Sequence, residues 1–123
     1  MIFVFGGAFS GKGEYVENKF NTKSILPYDA PERELYTAQA VRDFHLFIKK
    51  QLLAGKNAAC AVVSLIEKNP DIIIISNEIG CGVVPADKFD REYRETVGRI
   101  HCMIVEKADR VIRVVCGIGK AIK

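Results

Sequence analysis

Residues 1–15 read MIFVFGGAFSGKGEY, and this stretch decides the fold. Ile2-Phe3-Val4-Phe5 is a continuous apolar run that stops at glycines, the pattern of a strand buried on both faces of a parallel sheet. Gly6-Gly7-Ala8-Phe9-Ser10-Gly11-Lys12 follows at once, a G-x-x-x-x-G-K spacing. Each part has a physical reason. Gly6 and Gly11 allow backbone angles that a Cβ forbids, so successive N–H groups turn inward around an anion. A helix starting at about Gly11 adds the positive end of its dipole, and Lys12 adds a mobile positive charge. Gly6, Gly7, Ala8, Phe9, Ser10, Gly11, Lys12 and Gly13 are therefore the expected phosphate contacts. The position after the lysine usually carries Ser or Thr, whose hydroxyl holds Mg²⁺. Here it is Gly13.

Outward from this loop, strands and helices are expected to alternate. Helix one spans residues 11–20, and residues 24–26 form a short strand before Pro27. Residues 29–32, DAPE, open a helix whose apolar rhythm through Leu35, Ala38, Val41, Phe44 and Ile48 predicts that it continues to Gly55. Residues 57–68 form a further, well-buried helix. Ile72-Ile73-Ile74-Ile75 is the strongest strand signal, because β-branched residues favour the pleated backbone. Residues 76–84, SNEIGCGVV, form a loop at that strand's carboxyl end. A long helix spans 87–107, residues 111–116 form a last strand, and GIGK begins a short tail. This order predicts an α/β chain, one domain over residues 1–123, with a mostly parallel sheet and helices on both faces. Ligands in such sheets sit at the carboxyl ends of the strands, where both glycine-bearing loops fall.

The totals agree with one ordinary core: 123 residues, 49% hydrophobic and 27% charged. The net charge of +3 is spread along the chain rather than gathered on one face, which argues against a nucleic-acid partner. The longest apolar run falls far short of the roughly 20 residues of a membrane span. With no signal peptide in view, the expected location is cytoplasmic. Cys60, Cys81, Cys102 and Cys116 show no metal-binding spacing and are expected to be reduced and mostly buried, with Cys81 accessible between two glycines.

Three segments carry a family resemblance: GGAFSGKGEYVE, then IISNEIGCGVVPADKFDREYRETVGRIH, then ADRVIRVVCGIGKAIK. Together they resemble the adenosylcobinamide kinase / adenosylcobinamide-phosphate guanylyltransferase family of cobalamin biosynthesis. The middle segment is the most specific, with its apolar strand, SNE, glycine turn, Val-Pro, and a helix bearing Arg94, Gly98 and Arg99. The resemblance implies a three-layer P-loop (RecA-like) fold, GTP or ATP with Mg²⁺ as cofactors, adenosylcobinamide as acceptor, and a homo-oligomer of trimeric type. It also implies phosphorylation of the aminopropanol hydroxyl, followed by GMP transfer through a guanylylated histidine.

By position, His45 is the candidate for that histidine, with Lys12 and Glu78 as the other catalytic candidates and Glu78 as the metal ligand. Asn77 stands beside Glu78 at the end of the central strand. His45 sits among apolar neighbours (DFHLF), so a packed role competes with a nucleophilic one. His101 matches no catalytic position and is expected to be structural. The chain departs from the family in Gly13, in Phe9 where a polar or basic residue is usual, and in a shortened middle that lacks a parallel strand with an acidic end. These departures support a second reading, a non-catalytic paralogue that binds nucleotide or cobinamide.

Overall fold

A computed structural model describes residues 1–79 and 86–123. Its centre is a six-stranded sheet in the order β2-β3-β4-β1-β5-β6. The strands are β1 (Ile2–Gly6), β2 (Ile25–Pro27), β3 (Ala40–Arg42), β4 (Ile73–Asn77), β5 (Arg110–Val115) and β6 (Ile118–Ala121). All neighbours run parallel except β5 and β6. The helices are α1 (Lys12–Phe20), α2 (Glu32–Leu35), α3 (Phe44–Leu53), α4 (Ala58–Lys68) and α5 (Lys88–Lys107).

The apolar strands are buried on both faces because alternate side chains enter different cores. Phe3, Val41, Ile72, Ile74 and Val111 point to the larger core, with Phe44 and Ile48 of α3, Val62 and Leu65 of α4, and Val97, Ile100 and Ile104 of α5. Val4, Ala40, Ile73, Ile75, Ile112 and Val114 point to the smaller core, which Val16 of α1 closes. The expected mostly parallel sheet with helices on both faces is present.

Most expected elements lie within a residue or two of their places, and two differ. The helix expected from Pro31 to Gly55 is broken into α2, β3 and α3. Residues 35–48 do satisfy a helical period, but Ala40 and Val41 are completely buried between β2 and β4, where pairing on both sides overrides local preference. The buried Asn69 holds the change of direction: its amide donates to the carbonyls of Leu35 and Ala38, both at 2.9 Å. A short parallel strand, β3, thus stands where helix was expected, and Asp43 follows it directly as the residue before α3.

The second difference is the tail. Residues 118–121 fold back as β6, antiparallel to β5. The turn is Cys116-Gly117, both with positive φ (49° and 78°), as a two-residue hairpin requires. The described cysteines, Cys60, Cys102 and Cys116, are all exposed rather than buried. Cys60 and Cys102 fall on the outer faces of their helices, and Cys116 is in the hairpin turn. Cys81 and most of the glycine turn of the SNE segment, residues 80–85, lie outside the described residues. Among the described residues, no helix is long and apolar enough to cross a membrane.

Candidate functional site

The carboxyl ends of β1, β3 and β4 converge on one side of the sheet. Gly6 closes β1 in contact with its neighbours: a Cβ there would fall against the carbonyl oxygen of Val114 and 2.9 Å from Ser10 Oγ. Only glycine lets the chain leave β1 at this point. The turn continues through Phe9 (φ 58°) and Gly11 (φ 85°), both left-handed, and Gly11 precedes the first residue of α1. Phe9 is a bulky residue in a conformation that costs of order 1 kcal/mol or more. Its ring is fully exposed.

Lys12 opens α1, yet its side chain is buried at 8% exposure. It folds back over the loop, donating to the carbonyl of Gly7 at 2.6 Å and approaching Ser10 Oγ at 3.4 Å. Burial lowers its pKa, and the carboxylates of Asp43 and Glu78 oppose that shift. Residues 8–13 line a cleft of about 340 Å³ together with Arg42, Asp43, Ile75 and Asn77. Asp43 was not foreseen as a site residue. It occupies the left-handed region at φ 54°, a conformation Asp tolerates better than most residues. A charged residue in such a turn directly after a strand was the available signal, hidden inside the expected helix.

Glu78 and His45 lie close to the cleft but are not among its lining residues. The Glu78 carboxylate faces Arg113 of β5, with Oε1 3.5 Å from Nε, and its backbone N–H donates to the carbonyl of Gly6 at 2.8 Å. His45 is in the first turn of α3, after β3, rather than mid-helix as its sequence context implied. It is buried at 7% exposure, and its Nδ1 accepts the backbone N–H of Asn77 at 3.3 Å. A backbone N–H can only donate, so Nδ1 is the unprotonated nitrogen of the neutral ring and Nε2 carries the proton. Nε2 is 3.5 Å from Asn77 Nδ2, a contact too long to set the tautomer. Burial lowers the His45 pKa; Asp43 opposes this and Lys12 reinforces it. Its carbonyl accepts the Tyr93 hydroxyl at 2.9 Å, and burial raises that hydroxyl's pKa to about 12.

His101 packs against the Phe3 ring, with centroids 5.0 Å apart, and its Nε2 is 2.9 Å from Ser76 Oγ. Burial lowers its pKa to about 4, so it is neutral at pH 7. Arg99 pairs with Glu95 on the exposed side of α5. Gly7 and Gly13 have no heavy atom within 4 Å of where a Cβ would stand. Among the described residues, no group of His, Cys, Asp and Glu side chains could hold a metal by itself.

Residues 32–122 match the family described as cobinamide kinase / cobinamide phosphate guanyltransferase. The matched region starts beyond the opening loop. Over 52 residues the chain is 38% identical to the bifunctional adenosylcobalamin biosynthesis protein CobU of Salmonella typhimurium, covering 42% of this chain and 29% of that protein. It is 36% identical to Escherichia coli CobU over the same length, with the same coverage of each chain. Against the bifunctional protein CobP of Pseudomonas aeruginosa it is 40% identical, covering 42% of this chain and 30% of the relative. The aligned stretch thus spans less than a third of each of these relatives. The family match runs from α2 through β6, across all but two of the six strands, and on that breadth the chain belongs to the cobinamide kinase / cobinamide phosphate guanyltransferase family.

Proposed function

We propose that this chain is a GTP- or ATP-binding member of its family that serves cobalamin biosynthesis, with the nucleotide's phosphates held by the opening loop of a P-loop (RecA-like) fold. The observation that carries this is the 340 Å³ cleft, in which Lys12 and the loop face Asp43 and Asn77 at the ends of adjacent strands. In this reading the N–H groups of residues 8–13 and the Lys12 ammonium bind the β- and γ-phosphates. The cleft suits Mg²⁺, which binds through one or two carboxylates, phosphates and retained water. Asp43 would hold it, with Ser10 and Asn77 beside it, and it would supply charge neutralisation on the phosphates. Glu78, tied to Arg113, sets the field around Lys12 rather than binding the metal.

The reaction this arrangement favours is phosphoryl transfer to a cobinamide hydroxyl. The acceptor oxygen bonds the γ-phosphorus as the bond to the bridging oxygen breaks, and the hydroxyl proton passes to solvent. His45 is a positioning residue here. A nucleophilic imidazole needs a free lone pair, and the only lone pair of the neutral ring already accepts the Asn77 N–H. Homo-oligomer formation belongs to the same proposal, by family likeness.

Calorimetric titration with GTP and ATP, with and without Mg²⁺, tests the reading, alongside Lys12→Ala. Submicromolar to micromolar binding that Lys12→Ala weakens at least about tenfold supports it; binding unchanged by Lys12→Ala refutes it. Incubation with α-labelled GTP should leave no acid-labile label on the protein. The second reading, a binder without turnover, is favoured by Gly13, which supplies no hydroxyl to a metal. It predicts equal affinity with and without Mg²⁺, and no transfer of a γ-label to cobinamide.

A further inference from the structure

Among the described residues two cations line the cleft, Lys12 at the start of α1 and Arg42 at the end of β3. The first is committed and the second is not. Lys12 is buried and bonded to the Gly7 carbonyl. Arg42 is exposed, and among the described residues its guanidinium makes no hydrogen bond or ion pair. The nearby carboxylates are engaged elsewhere. Asp43 acts on Lys12 and His45, and Glu78 faces Arg113.

The sheet puts both cations on one of its faces. Side chains alternate along a strand, so Arg42 leaves β3 on the side of Ala40, which belongs to the smaller core. The register Ala40↔Ile73, Val41↔Ile74, carried one step further, sets Arg42 beside Ile75, a residue of both that core and the cleft. Lys12 opens α1, the helix that closes the same core through Val16. β4 alone separates β1 from β3, so the strand ends bearing the loop and Arg42 stand two strand spacings apart, roughly 10 Å.

Resting on the phosphate reading above, we infer that Arg42 grips the terminal phosphate of a bound nucleoside triphosphate and sets a preference for triphosphate over diphosphate. A phosphate chain anchored on the loop crosses the gap toward β3, and a diphosphate ends short of it. The guanidinium offers paired N–H donors that match two phosphate oxygens, and it stays charged across the physiological range. Placed there, it meets the charge that spreads over the outermost phosphate during transfer. The need is local. Gly13 brings no hydroxyl to a metal, Phe9 gives the loop an exposed apolar ring, and Asp43 adds a negative charge to the cleft. Arg42 offsets that charge from the adjacent position in the chain.

Calorimetry on the full chain compares GTP with GDP and ATP with ADP, in the parent, Arg42→Ala, Arg42→Lys and Lys12→Ala. Arg42 is exposed at a strand end, so neither replacement opens the core. Arg42→Ala should weaken the triphosphates about tenfold and leave the diphosphates unchanged. Arg42→Lys, which keeps the charge and loses the fork, should recover only part of that loss. Lys12→Ala should weaken both classes. Should the alanine form not fold, Arg42→Lys decides by the same ratio of triphosphate to diphosphate affinity. If Lys12→Ala weakens both classes while Arg42→Ala changes neither, or weakens both alike, the role of Arg42 is refuted and the phosphate cradle stands. If the parent binds neither class, the phosphate reading falls and the role of Arg42 falls with it.

Discussion

The backbone N–H of Gly117 donates to the carbonyl of Ser10 at 2.7 Å, joining the far hairpin to the middle of the glycine loop. Residues 107 positions apart in sequence thus share one hydrogen bond at the entrance of the candidate site. The Tyr15 ring rests on Gly119 and reinforces that junction from the helix side. Gly119→Ala should push the ring away and destabilise the fold by about 1–3 kcal/mol, the usual cost of overpacking. Urea unfolding of Gly119→Ala, Tyr15→Ala and the double variant checks it, and the double variant should be less impaired than the two losses added together.

Gly6 and Gly13 should respond oppositely to substitution. Gly6→Ala meets the Val114 carbonyl, part of a sheet that cannot yield, and should lose about 1–3 kcal/mol of stability along with nucleotide binding. Gly13→Ser meets nothing within 4 Å and replaces glycine in the first turn of α1. It should stabilise the chain by about 0.5 kcal/mol and increase the dependence of GTP affinity on Mg²⁺. Thermal melts and titrations with and without the metal read both effects.

Asp43→Asn keeps a residue that tolerates the left-handed turn, so the fold should survive. Mg²⁺-dependent nucleotide binding should fall by about tenfold or more. The Asp43 carboxylate also opposes the lowering of the Lys12 pKa. Without it, Lys12 should lose its proton at lower pH, and nucleotide affinity should decline earlier on the alkaline side than in the parent. Titrations across the alkaline range compare the two profiles.

Half-buried neutral His101, with a pKa near 4 against an ordinary 6.5, should make the fold acid-sensitive. Between those values the unfolded chain binds the proton and the folded one does not, so stability falls as pH falls. The loss should be complete below about pH 4 and amount to roughly 3 kcal/mol, at 1.36 kcal/mol for each pH unit of difference. His45, lowered in the same direction, adds to it. Urea midpoints from pH 7 to 4 should decline in the parent and more gently in His101→Gln.

Asn69→Ala removes two hydrogen bonds; the Leu35 carbonyl keeps the Ala38 N–H at 3.3 Å, while the Ala38 carbonyl loses its Asn69 donor. A stranded group costs about 1–3 kcal/mol, so the variant should be clearly destabilised. Chemical denaturation against Asn69→Asp, which keeps the shape but not the donors, separates packing from hydrogen bonding.

Much of this architecture is legible from residue order. Ile72 to Ile75 and the run before Gly6 announce strands buried on both sides, because no other element tolerates such continuous branched or aromatic character. What escaped was β3, three residues long, in which only Val41 has a strand preference and pairing with β2 and β4 supplies the rest. Asp43 went unseen with it. His45 was located by its distance from Lys12, but distance along the chain says nothing about which nitrogen is free, and the Asn77 N–H decides that. The β5–β6 turn was readable in principle from Cys116-Gly117, but a non-glycine residue at positive φ gives only a faint signal.

Among the described residues, α1 is the only helix that contributes to the smaller core, through Val16 with Tyr15 and Phe20 packed beside it. The helix that begins at the glycine loop is therefore also the lid of half the sheet. Whatever moves the loop tilts the lid, and whatever loosens the lid spoils the loop. The loop's anchorage and the sheet's cohesion share one nine-residue helix, so the two properties are inherited, or lost, together.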